Sequence, residues 1–190
     1  MNKLFLLLAC YCLSFKVAGQ TVWKNPLPVD SVTHRVSYSG VVEVPGATKA
    51  ELYSRAREWF ANTFGSSKAV LEMDDRESGK LIGNANAETS IDYGGILGTA
   101  PTRLWRTIRV EIKEGRYRYT FTNFDMGALS GLQAEAHPIE AWFKPSSLIY
   151  NKDGSPKRAA ASIFKGVQQS GESQVSSLHE AMTKSAGKAW

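Results

Sequence analysis

The stretch RTIRVEIKEGRYRYTF, Arg106 to Phe121, decides the fold. It reads as two strands joined at Glu114-Gly115, and pairing Lys113 with Arg116 fixes their register. Ile108, Val110 and Ile112 then share a face with Phe121, Tyr119 and Tyr117, while Glu111 lies opposite Arg118 on the other face. Rings and cations are thereby separated. A nucleic-acid platform needs exposed rings beside cations, so this register argues for a structural core with a basic outer surface and against a nucleic-acid partner.

Upstream, HRVSYSGVVEV places Val36, Tyr38, Val42 and Val44 on one face at period two, the mark of a half-buried strand. Pro45-Gly46 ends it. Thr48 and Glu51 form a capping box, in which hydroxyl and carboxylate satisfy free amides at a helix start. The helix KAELYSRAREWFANTF carries Leu52, Tyr53, Ala56, Trp59, Phe60 and Phe64 along one stripe, suited to docking on a sheet.

DDRESGKLIGNANAE, Asp74 to Glu88, looks most like chemistry but reads as a hairpin, with Asp75 to Gly79 as its turn. A phosphate loop needs Gly where Asp74 stands and Ser or Thr where Leu81 stands. Asp74 and Asp75 are adjacent on a strand and point to opposite faces, so they are not an acid pair. On the next strand Leu81, Gly83, Ala85 and Ala87 share a face whose small residues suit close approach of a helix or a ligand. The glycine-rich TSIDYGGILGTAPT, Thr89 to Thr102, reads as a lid, a hairpin tip or an ill-ordered loop. Beyond Asn123 the chain reads as irregular through FDMGALSGLQAEAHP, and residues 151–158 as a turn-rich connection. A long final helix is expected at about 159–186, despite Gly166 and Gly171.

The first residues address compartment. A short basic end and the apolar LFLLLACYCLSF are the pattern of a secretory signal over residues 1–19, too short to span a bilayer. Cleavage is expected before Gln20, leaving an extended leader over 20–33 and one domain over 34–190. A competing lipobox, Leu7-Leu8-Ala9-Cys10, is disfavoured because the apolar run continues to Phe15; only lipidation of Cys10 would bring membrane association. Both cysteines, Cys10 and Cys12, fall within the signal, so the expected mature chain has no disulfide, thiol nucleophile or cysteine-ligated zinc. Loss of Lys3 and Lys16 from 23 basic residues, against 18 acidic ones, lowers the net charge from +5 to +3.

The remaining chemical candidates are weak. Glu135, His137 and Glu140 lack the spacing or supporting residues of a metal centre, Ser130 in GALSG is not a nucleophile elbow, and His34 and His179 have no partner in sequence. No catalytic residue, metal or cofactor is expected. Strand, helix, several antiparallel strands and a final helix give an α+β fold. Its single antiparallel sheet is covered on one face by the first helix and the C-terminal helix, in the order β-α-β-β-β-β-α.

Over about Val32 to Phe124, GVVEVPGATKAELYSRAREWF, DDRESGKLIGNANAE and IRVEIKEGRYRYTFTNF resemble the exported bacterial family named domain of unknown function 4468. The resemblance rests on Leu52, Tyr53, Trp59, Asp74, Gly79, Gly83 and the Arg116-Tyr117 strand. It implies a TBP-like fold in the periplasm or cell envelope, and no activity. The expected function is a non-catalytic binding or interaction module with an envelope protein as partner. The alternatives are a carrier holding a small apolar ligand or lipid between sheet and final helix, contacted by Trp59, Gly83, Ala85, Tyr117 and Tyr119, or an envelope enzyme whose polar residues converge only in space.

Overall fold

The computed structural model describes residues 25–65, 70–128, 135–144 and 146–184. Its elements are β1 (Tyr38–Glu43), α1 (Lys49–Phe64), β2 (Leu71–Asp75), β3 (Lys80–Gly94), β4 (Gly98–Lys113), β5 (Arg116–Ala128), β6 (His137–Pro138) and α2 (Arg158–Thr183). The central hairpin is β4–β5. It pairs Lys113 with Arg116, Ile112 with Tyr117, Val110 with Tyr119 and Ile108 with Phe121, the register the alternation predicts. Gly115 turns the chain at φ 67°, and Glu111 meets Arg118 at 2.6 Å on the outer face.

The antiparallel sheet runs β1-β5-β4-β3-β2, with the two-residue β6 added beside β5. One face carries Leu81, Ile108, Val110, Ile112, Tyr117 and Phe121, each at most 2 % exposed. Both helices pack on that face. The other face has no covering helix among the described residues.

The capping box starts α1 as expected: Thr48 Oγ1 accepts from the Glu51 amide, and the Glu51 carboxylate accepts from the Thr48 amide at 2.8 Å. Gly65 closes the helix in the left-handed conformation. Trp59 then locks it down. Its ring stacks on Phe121 at 6.3 Å, meets Phe60 and Phe64 edge-on, and donates Nε1–H to Ser177 of α2 at 3.0 Å.

Asp75 to Gly79 is the expected turn. Asp75 accepts from the Ser78 amide at 3.0 Å, and Gly79 adopts φ +73°. Of the three readings of Thr89 to Thr102, the hairpin tip is the one that forms, since β3 and β4 stay paired from Lys80↔Glu111 out to Gly94↔Gly98.

Two stretches differ from expectation. From Asn123 to Ala128 the chain is not irregular; β5 continues to Ala128, with Leu104 opposite Met126, and residues 129–134 of the expected irregular stretch lie outside the described residues. The ladder slips where Thr107↔Thr122 gives way to Trp105↔Asp125, and Asn123 sits at φ 54°. The extra residue moves the buried positions from Phe121 to Phe124 and Met126, which breaks the period-two pattern and conceals the strand. The leader is also not extended from Asn25 onward. Asp30 accepts from the amides of Val32 and Thr33, Val29 bridges to Val36, and Leu27 is buried in the core.

Gly166 and Gly171 lower the helix propensity of α2 but serve as its contact points. A Cβ on Gly171 would lie 2.5 Å from the Tyr38 ring, and one on Gly166 3.1 Å from Thr89 Oγ1. The start of α2 is fastened to β3 through Arg158 and Asp92 at 2.9 Å and through Ser162 Oγ, which accepts from the Asp92 amide.

Candidate binding groove on the open sheet face

Asp74 and Asp75 point to opposite faces, and each is engaged by hydrogen bonds within the protein. The Asp74 carboxylate takes hydrogen bonds from Tyr53 Oη and from Arg57 Nε, the latter at 2.8 Å, and so ties β2 to α1. Burial opposes its charge, but those bonds and the Arg57 guanidinium outweigh it and hold its pKa below the usual carboxylate range. Burial and the bond to Asp74 push the Tyr53 phenol well above its ordinary value. This is a clamp, with all its groups satisfied.

Among the described residues no three His, Cys, Asp or Glu side chains gather as metal ligands. Glu140, grouped with Glu135 and His137 in the sequence, instead accepts from the Val36 amide at 2.7 Å and pairs with Arg35 at 3.5 Å. Tyr117 Oη lies 3.5 Å from His179 Nδ1, and His34 occupies a left-handed turn position. Ser130 and the N-terminal segment with its two cysteines lie outside the described residues.

The residues named for an apolar ligand do share one layer. Trp59, Ala85 and Tyr117 are buried there, and Tyr119 is half-buried between Tyr117 and Phe121. At Gly83 the space belongs to protein, because a Cβ would meet the Val70 carbonyl oxygen at 2.8 Å and the Phe60 ring at 3.1 Å.

A concave site does form on the uncovered face, from residues that alternation along β3, β4 and β5 turns outward. It is a groove of about 640 Å³ lined by Arg35, Asn84, Trp105, Thr107, Asn123, Asp125, Ala136 and Pro138. Arg106 contributes at its floor, where alternation leaves the main chain on this side and carries the side chain through to the helix side. The volume is that of a small-ligand site. A polar ladder crosses four strands: Asn123 Nδ2 donates to Thr107 Oγ1 at 3.3 Å, Thr107 donates to Asn84 Oδ1 at 2.9 Å, and Asn84 Nδ2 donates to Glu72 at 2.6 Å. Trp105 is half-buried, its ring edge against Gly127, where an added Cβ would lie 3.1 Å from it. Asp125 lines the groove as well. Burial, reinforced by the charge of Glu140, pushes its pKa up against the opposing pull of Arg35.

The bulge makes this groove. Positive φ at Asn123 holds its amide over Thr107, while the slip sets Asp125 opposite Trp105. None of the lining residues stands out in the sequence, because the signal that unites them is a register slip between strands.

Residues 38–126 match the family model described as domain of unknown function (DUF4468) with TBP-like fold. This segment is a DUF4468 domain. It supplies the ladder, Trp105 and Asp125, while Arg35 and Pro138 flank it. Two solved structures share the fold. A DUF4468 family protein from Bacteroides ovatus has a TM-score of 0.65 at 16% identity, over 85% of this chain and 94% of its own. A TBP-like protein from Parabacteroides distasonis has a TM-score of 0.59 at 14% identity, over 83% and 97%. No curated protein matches the chain. At such identities the likeness speaks for the fold and not for a site.

Proposed function

We propose that the chain is a non-catalytic binding module of the bacterial cell envelope, and that it meets its ligand on the open sheet face at the Trp105 groove. The observation that carries this reading is the polar ladder from Asn123 to Glu72 lying beside Trp105 in a groove of about 640 Å³. An aromatic flanked by amides and a hydroxyl suits a polar, uncharged ligand such as a glycan unit or a peptide backbone. A nucleophile with its own base is missing from this constellation, since Thr107 donates to an amide oxygen and Glu140 is held by Arg35. The apolar N-terminal run supports export, with cleavage before Gln20; intact mass of the secreted protein tests that part.

Titration of the isotope-labelled protein with soluble glycan and peptide fragments of the producing bacterium's envelope tests the site. Shifts concentrated at the Trp105 indole and the Asn84 and Asn123 amides, and lost in Trp105→Ala, are expected. Saturable binding that leaves these resonances unmoved would place recognition elsewhere and refute the proposal.

A further inference from the structure

Arg106 is 2 % exposed, and its Nε and Nη1 atoms are buried without a hydrogen-bond partner. The β3–β4 register sets it opposite Ala85, between Leu104 and Ile108, on the face that the helices cover. Burial pulls its pKa down to about 10, so at neutral pH it remains a cation. A desolvated charge with nothing opposite it is among the costliest features a fold can carry. The β3 residues sharing its face, Gly83, Ala85 and Ala87, are uncharged, and so are the buried positions of α2. The guanidinium is therefore an unused cationic donor inside the fold.

We propose that Arg106 anchors an internal site for a compact monoanion, the size of chloride or a short carboxylate, on the helix-covered side of β4. The size limit comes from how closely α2 sits. Gly171 lies against the Tyr38 ring and Gly166 against Thr89, so α2 sits close on the sheet at both points and a compact anion is expected rather than an extended acyl chain. Occupation neutralises the buried guanidinium, and the anion becomes part of the folded state.

Melting temperature at constant ionic strength, with sodium gluconate replaced stepwise by chloride, acetate or decanoate, tests this for the chain and for Arg106→Met. Chloride or acetate should raise the melting temperature saturably, by about 5–10 °C at a hundredfold excess over Kd. Arg106→Met should melt higher than the parent in gluconate and lose the anion response. If the methionine variant does not fold, Arg106→Gln is measured the same way, and bromide located by anomalous scattering beside Arg106 in the parent gives a direct readout. A flat response in the parent, an equal response in the variants, or stabilisation by decanoate without acetate overturns the proposal. Arg106 also touches the floor of the Trp105 groove, so the two readings are told apart by their variants: Trp105→Ala should leave the anion response intact, and Arg106→Met should remove it.

Discussion

Removing the Trp59 ring is the most demanding test of how the two helices are held. The side chain is 4 % exposed and touches Phe60 at 5.0 Å, Phe64 at 5.6 Å and Phe121 at 6.3 Å between ring centroids. Truncating a buried Trp or Phe to Ala costs about 3–5 kcal/mol, the upper end applying where neighbours cannot collapse. Here three partners are themselves large rings held by strand β5 and helix α1, so collapse is limited. The lost bond to Ser177 adds at most about 1 kcal/mol, because that residue is exposed and its hydroxyl rehydrates. Trp59→Ala should therefore lose about 4 kcal/mol, or roughly 8–16 °C for a chain of this size. Urea unfolding followed by far-ultraviolet circular dichroism measures it without relying on indole fluorescence, and an unchanged m-value shows that the change lies in stability. Trp59→Phe keeps most of the ring and should cost less than half as much. A loss under about 1.5 kcal/mol for the alanine variant, with the fold intact, would refute the argument that Trp59 clamps α1 to the sheet and to α2.

Two further outcomes follow from local geometry. Gly79→Ala should cost about 2–4 kcal/mol, because its φ is +73° and a Cβ would lie 2.5 Å from the Ile112 carbonyl oxygen; Gly46→Ala, at φ +81° with open space around it, should cost only about 1–2 kcal/mol. Equal losses in denaturant titrations would show that the contact with Ile112 relaxes freely. Asp74 has a folded pKa below its unfolded value, so its contribution is complete above the unfolded pKa of about 4 and disappears as pH falls through the folded one. Asp74→Asn should therefore flatten the acid limb of the stability curve below about pH 4, and an unchanged limb would exclude Asp74 as its source.

What the sequence determined by itself is what short-range chemistry encodes. The capping box at Thr48 and Glu51 needs residues three apart, the Glu114-Gly115 turn needs a glycine at positive φ, and the β4–β5 register follows from alternation on either side of that turn. Family resemblance pointed the same way, to a sheet with helices on one side. The extension of β5 past Asn123 was hidden because a bulge reverses the alternation, and nothing in the local residues marks which strand carries the extra position. The groove was hidden for the same reason, its residues coming from β3, β4, β5, the turn at Arg35 and the segment at Pro138. Arg106 opens the very hairpin that decides the fold, yet only the tertiary structure gives it meaning. Burial and the lack of a partner are properties of the layer between sheet and helices, which forms from segments far apart in the chain.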